Sequence, residues 1–115
     1  MKRKGVDMEK LIFDGDNTHH DHMNITVRNG TKWRKLDIGD KIMCCKLGED
    51  TGPIGTVNLI CCCTLRNCPD SLLQKEHDKS CRYLGGLIKV LDRVYKKKFI
   101  GSEIVTLIGY TLEGE

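Results

Sequence analysis

No run of about 18 apolar residues occurs in the chain, which excludes a helix of the kind that crosses a membrane. The basic start, Met1-Lys2-Arg3-Lys4, has no apolar stretch behind it either, so export through a signal peptide is not expected. No C-x-x-C pair occurs among the seven cysteines, Cys44, Cys45, Cys61, Cys62, Cys63, Cys68 and Cys81. Sequence neighbours in a strand point to opposite faces and cannot converge on one ion, and the spacing of a tetrahedral zinc site is missing. The cysteines therefore read as reduced thiols packed as small hydrophobes in a cytoplasmic protein, with no metal and no cofactor. No repeat, low-complexity segment or linker divides the 115 residues, which read as a basic tail at 1–7 and a single domain at 8–115.

What is present is a modest core and a slight positive charge. Hydrophobic residues make up 39% and charged residues 30%, enough to fold without staples, and the net charge of +3 is compatible with a phosphate-bearing partner. Asp7 can cap a short helix carrying Met8, Leu11 and Ile12, ended by Gly15. Residues 14 to 23 have turn chemistry. Ile25 and Val27 flank Thr26 in a brief strand, and Asn29-Gly30 is a turn signal. Lys32-Trp33-Arg34-Lys35 follows and holds the only tryptophan. Ile38-Gly39-Asp40-Lys41 opens a strand that runs through Leu47, and a Gly/Pro loop covers Glu49 to Gly55.

Val57 to Leu65 is the most apolar strand. Strict alternation puts Val57, Leu59, Cys61 and Cys63 on one face and Asn58, Ile60, Cys62 and Thr64 on the other, and the apolar character of both faces predicts a central position. Pro69-Asp70-Ser71 begins a helix, with Ser71 and Gln74 as a capping box. A second helix spans Gly86 to Lys96, with Leu87, Leu91 and Val94 as its apolar stripe, widened by Ile88, Val90 and Tyr95. Lys96, Lys97 and Lys98 suit the negative end of that helix. A last strand spans Ile104 to Leu112. The connections between strands are too short for parallel crossovers, which predicts an α+β fold: a small, mostly antiparallel β-barrel or curved sheet with flanking helices.

The densest polar stretch runs from Asp14 to His22, with Asp14, Asp16, His19, His20, Asp21 and His22. His20 and His22 share a face of an extended chain, and Asp14 or Asp16 could approach by a turn, which is a legitimate metal pattern. It lacks the helical spacing of a preformed site, and the stretch reads as a solvated loop.

Leu11-Ile12-Phe13-Asp14-Gly15, then Ile25-Thr26-Val27-Arg28, a basic segment, Ile38-Gly39-Asp40-Lys41-Ile42, a strand opening at Gly55 to Val57, a helix ending in Tyr95 and a final strand near Ile108-Gly109-Tyr110 together resemble the ASCH domain, a member of the PUA-like β-barrel superfamily. The resemblance covers roughly residues 8 to 112 and rests on the order of short motifs. It implies one of two functions. Some ASCH domains hydrolyse the N-acyl group of acetylated cytidine, using a Lys, a Thr three positions later and a Glu from the helical segment. Others are taken to bind RNA.

Carried onto this chain, the threonine is Thr26 and the arginine after it Arg28, while the lysine position holds Met23. The glutamate falls between Glu76 and Ser80; the best register puts Ser80 there, with Asp78 two residues before. In a second register Gly15-Asp16-Asn17-Thr18 holds the turn, with Asn17 in place of the lysine. Neither supplies a lysine, and His22 is the nearest substitute base. The implied catalytic set is thus Thr26, His22, Glu76 and Asp78. The implied contacts to RNA or to a nucleoside or nucleotide are Arg28, Lys32, Trp33, Arg34, Lys35 and Lys41, cations for phosphates and an indole for a base.

Overall fold

The computed structural model describes residues 8–13 and 22–113. The basic tail and Asp14, Asp16, Asn17, His19, His20 and Asp21 lie outside the described residues. Five strands form one sheet: β1 (Glu9–Phe13), β2 (Asn24–Asn29), β3 (Lys41–Lys46), β4 (Ile54–Thr64) and β5 (Ile104–Leu112), in the spatial order β1-β3-β4-β5-β2. A four-residue helix α1 (Asp70–Leu73) and a twelve-residue helix α2 (Leu84–Tyr95) lie between β4 and β5. Among the described residues no helix is long and apolar enough to cross a membrane.

The expected opening helix is a strand. Leu11 and Phe13 are buried while Ile12 between them is 41% exposed, a period of two rather than 3.6. Five residues are too few to sustain a helix without a partner. As β1 they pair in parallel with β3, from Glu9 opposite Ile42 to Phe13 opposite Lys46. The remaining pairings are antiparallel. The capping box at Ser71 and Gln74 does not form either. Instead the Pro69 carbonyl accepts from the Leu72 and Leu73 amides, and α1 is a single turn anchored by the fully buried Leu73.

β4 takes the central place that its apolar faces predict, but not with the predicted faces. A bulge between Val57 and Leu59 leaves Asn58 out of the ladder: Val57 is opposite Tyr110, and Leu59 is already opposite Gly109. Val57 and Ile60 therefore face one core, and Leu59, Cys61 and Cys63 the other. The first core fills the inner face of the sheet with Leu11, Phe13, Leu36, Ile42, Cys44, Val57, Ile108 and Tyr110. The second packs Ile25, Val27, Val105 and Leu107 against Leu73, Leu87 and Leu91 of the helices. Six of the cysteines are at least partly buried and all seven are free thiols. Burial pushes the Cys44 thiol up to about 12, so it is a neutral packing group.

Two turns predicted from Asn29-Gly30 and Ile38-Gly39-Asp40 are present, with Gly30 at φ 84° and Gly39 at φ 95°, a region that favours glycine. The second is locked reciprocally: the Gly39 amide donates to the Val57 carbonyl and the Val57 amide to the Asp40 carbonyl.

The predicted barrel closure does not occur. β1 and β2 are the two edges of an open sheet, and no ladder joins them. The reason is local. The outer edge of β2 is already occupied by the segment after α1, because Ile25 donates to the Lys75 carbonyl and accepts from the His77 amide, a single parallel bridge to Glu76. This wedge holds the two edges apart, and the seam it leaves contains the candidate site.

Candidate functional site

The alternation of β2 sends Ile25 and Val27 to the helical core, and Asn24, Thr26 and Arg28 to the inner face of the sheet. Beyond its one bridge, the wedge continues along β2 with a side chain in place of backbone. Glu76 Oε2 accepts from the Val27 amide at 3.2 Å, and Oε1 accepts from the Asp78 amide at 3.0 Å. The Glu76 carbonyl accepts from Arg82 Nε at 2.8 Å. Glu76 is only 2% exposed, and burial raises its carboxyl to about 8. The two amides and Arg28 pull in the opposite direction without prevailing, and Asp78 adds to the rise.

Arg28 crosses the seam. Its Nε donates to Thr26 Oγ1 at 3.1 Å and its Nη1 to the Ile12 carbonyl of β1 at 2.8 Å. The guanidinium lies over the Phe13 ring, 4.8 Å from its centroid, and His77 meets the same ring at 4.7 Å in an edge geometry. Burial is the main influence on Arg28 and lowers its pKa, yet a guanidinium stays charged in proteins. Of its N–H donors, Nε and one on Nη1 are spent; Nη2 has no acceptor among the described residues.

These groups line one cleft, bounded by Ile12 and Phe13 of β1, Thr26 to Arg28 of β2, Glu76 to Asp78, Cys81, and the Leu87, Val90, Leu91, Val94 and Tyr95 face of α2. The cleft is open, with about 490 Å³ of empty space including its mouth. Helix α2 can approach closely because residue 86 is glycine: a Cβ there would lie 1.9 Å from the Ser80 carbonyl oxygen. At its other end the Tyr95 hydroxyl accepts from the Asn29 amide at 3.2 Å, pinning the helix to β2.

The residues singled out from the sequence separate into two groups. Thr26, Arg28, Glu76 and Asp78 come together in the cleft. Asp78 is partly committed elsewhere, since its Oδ1 accepts from the Ser80 amide and hydroxyl at 2.9 and 2.6 Å and caps the 3₁₀ turn Lys79–Cys81. Ser80, the best-register place for the family's glutamate, is exposed and off the cleft wall; Glu76 is the carboxyl that lines it. His22 is exposed and off the wall as well, its Nδ1 3.2 Å from the Met23 carbonyl. Met23 packs against the helical core, where its sulfur crowds Gly109.

The basic segment lies apart from the cleft wall. Lys32–Lys35 forms a 3₁₀ turn in which Trp33 is half-buried on the inner core with the Lys32 and Lys35 ammonium groups about its ring. Lys35 pairs with Glu9 at 3.1 Å, and Lys41 with Glu113. Phe13, His77 and Tyr95 escaped the sequence reading. Phe13 left a signal there in its alternation with Leu11, and Tyr95 one in the apolar stripe of the second helix. Among the described residues no group of three or more His, Cys, Asp or Glu side chains is placed to hold a metal ion.

No family model and no curated protein matches this sequence. Among solved structures, the chain is similar to an ASCH domain from Lactobacillus crispatus, with a TM-score of 0.60 at 6% identity, over 80% of this chain and 65% of that one. The chain thus has the ASCH-type fold, and it spans under two thirds of the protein it matches.

Proposed function

We propose that this chain binds RNA or a modified nucleoside, with one base seated in the seam cleft against Thr26, Arg28 and Glu76. The observation that carries this reading is Arg28, a half-buried cation whose Nη2 donors meet no protein acceptor among the described residues, beside a partly apolar wall. An edge of donors next to a protonatable carboxyl suits the mixed donor and acceptor edge of a base. The reading expects a cytoplasmic protein that needs no cofactor. Titration with nucleosides and with single-stranded RNA tests it. Saturable binding is expected, with RNA affinity falling steeply between low and moderate salt. Absence of binding to nucleosides and, even at low salt, to RNA rejects it.

A second reading, hydrolysis of N4-acetylcytidine or a related N-acylated nucleoside, is favoured by a specific observation. Thr26 and Glu76, 50 positions apart, line the same cleft. In place of the missing lysine, the carboxylate form of Glu76, whose carboxyl is raised to about 8, could take the hydroxyl proton as Thr26 Oγ1 attacks the acyl carbonyl and pass it to the cytidine amine as the C–N bond breaks; water then hydrolyses the acyl ester. Acetate release from acetylcytidine is then expected from the native chain and lost in Thr26→Ala. Equal rates in the two proteins exclude this chemistry.

A further inference from the structure

We propose that a single-stranded nucleic acid whose base enters the cleft runs its phosphate backbone over the Lys96–Lys98 end of α2, and not over the Lys32–Lys35 turn. This rests on the base-binding reading above and adds the path of the chain outside the cleft.

Continuity is the first ground. On the α2 side of the cleft, Val94 and Tyr95, 39% and 38% exposed, form the part of the wall that reaches solvent, and the next three residues are exposed lysines. A strand leaving the cleft along this side meets them first.

Availability of charge is the second. The acids nearest these lysines are engaged by backbone. Asp92 Oδ1 accepts from the Phe99 amide at 2.7 Å, and Glu103 accepts from the Ile100 and Gly101 amides at 2.9 and 2.8 Å. The Ile100 bond leads the causes that hold the Glu103 carboxyl below the usual range, and Lys97 also contributes. No salt bridge among the described residues takes up Lys96, Lys97 or Lys98, and Lys97 lies over the Phe99 ring, 4.9 Å from its centroid. In the other basic segment, by contrast, Lys35 and Lys41 have carboxylate partners.

The third ground is excess. One cation near a helix C-terminus satisfies the helix dipole, and Arg93 already stands in the last turn of α2. Three further adjacent cations repel one another unless an anion lies on them. Arg66 extends the strip, its side chain standing against Gly101 in the loop that follows the lysines. The separate seating of one base requires an unstacked strand, which selects single-stranded over duplex nucleic acid.

The test compares three forms of the full chain: native, the triple variant Lys96→Gln/Lys97→Gln/Lys98→Gln, and the control Lys32→Gln/Arg34→Gln. The probes are cytidine and its N4-acetyl derivative, a short mixed-sequence single-stranded RNA, and vesicles of phosphatidylcholine with phosphatidylserine. For the triple variant, the slope of log affinity for RNA against log salt should become shallower by about 2, with about tenfold or more affinity lost at low salt. Nucleoside affinity should be unchanged in it, and the control should bind RNA within about twofold of native. Native-like RNA binding by the triple variant overturns the proposal, as does loss of RNA affinity in the control instead. Native protein that prefers the anionic vesicles to RNA also overturns it. Native protein that binds a nucleoside but binds RNA no more tightly overturns this inference and spares the base site. Failure to bind either probe removes both. The substituted residues are exposed, and matching urea midpoints verify that the variants fold.

Discussion

Arg28→Met is expected to leave the chain folded and remove its capacity to bind. The substitution exchanges a half-buried cation for an apolar side chain of similar length. It gives up the hydrogen bonds to Thr26 Oγ1 and the Ile12 carbonyl and the contact with the Phe13 ring. It also removes the cost of holding a desolvated charge, and exchanges of this kind are often neutral or stabilising. The urea midpoint should correspond to a change within about 1 kcal/mol. Nucleoside affinity should fall by about two orders of magnitude, since charge-assisted hydrogen bonds contribute roughly 1.5–3 kcal/mol each. Arg28→Lys keeps the charge without the planar fork and should fall between the two. An Arg28→Met protein that binds like the native one would sink the role given to the guanidinium, and one that unfolds would make Arg28 a clasp across the seam and nothing more.

The second large effect is at Glu76, and it is one of stability. Glu76→Ala strips the acceptor from two buried backbone donors, the amides of Val27 and Asp78, at about 1–3 kcal/mol each. A loss of about 3 kcal/mol or more is expected, a large share of the stability of a domain this size. Glu76→Gln separates shape from charge. The carboxyl of Glu76 titrates near 8 in the folded chain against an ordinary value of 4.5. The folded form therefore binds the proton more tightly than the unfolded form. Its contribution is fully present below about 4.5 and is lost as the pH rises through about 8. Between those limits the stability of the native protein relative to the Glu76→Gln variant should decline with a slope approaching ~1 kcal/mol per pH unit. Urea midpoints of both proteins at several pH values across that window measure it. Parallel profiles would mean that Glu76 is ionised throughout, held so by Arg28 and the two amides.

The parts of the site that could be read from sequence are those fixed by local alternation. Thr26 and Arg28 must share a face of any strand that buries Ile25 and Val27, and the cleft contains both. Glu76 is another matter. It enters through a single bridge to Ile25 formed across 51 positions, and no local pattern separates it from Asp78 or Ser80. β1 is ambiguous for a related reason: Leu11, Ile12 and Phe13 suit a helical stripe or a half-buried strand, and only the distant β3 decides. The basic turn at Lys32–Lys35 is legible as charge but not as location. Its tryptophan is drawn onto the inner core, which carries the segment away from the cleft. Closure into a barrel is a property of the whole sheet, and one occupied edge on β2 is enough to prevent it.

Asn58 has a bearing on how this chain can change in length. In a central strand, removal of a residue ordinarily sends every side chain beyond it to the wrong face. β4 already carries one residue outside its ladder, so without Asn58 the pairs Val57–Tyr110 and Leu59–Gly109 would simply become consecutive. What is surrendered is the hydrogen bond from Thr111 Oγ1 to Asn58 Oδ1 and the local bend that a bulge gives a strand. The central strand of the sheet thus holds one residue of slack, and descendants of this sequence can lose Asn58 and keep both cores in phase.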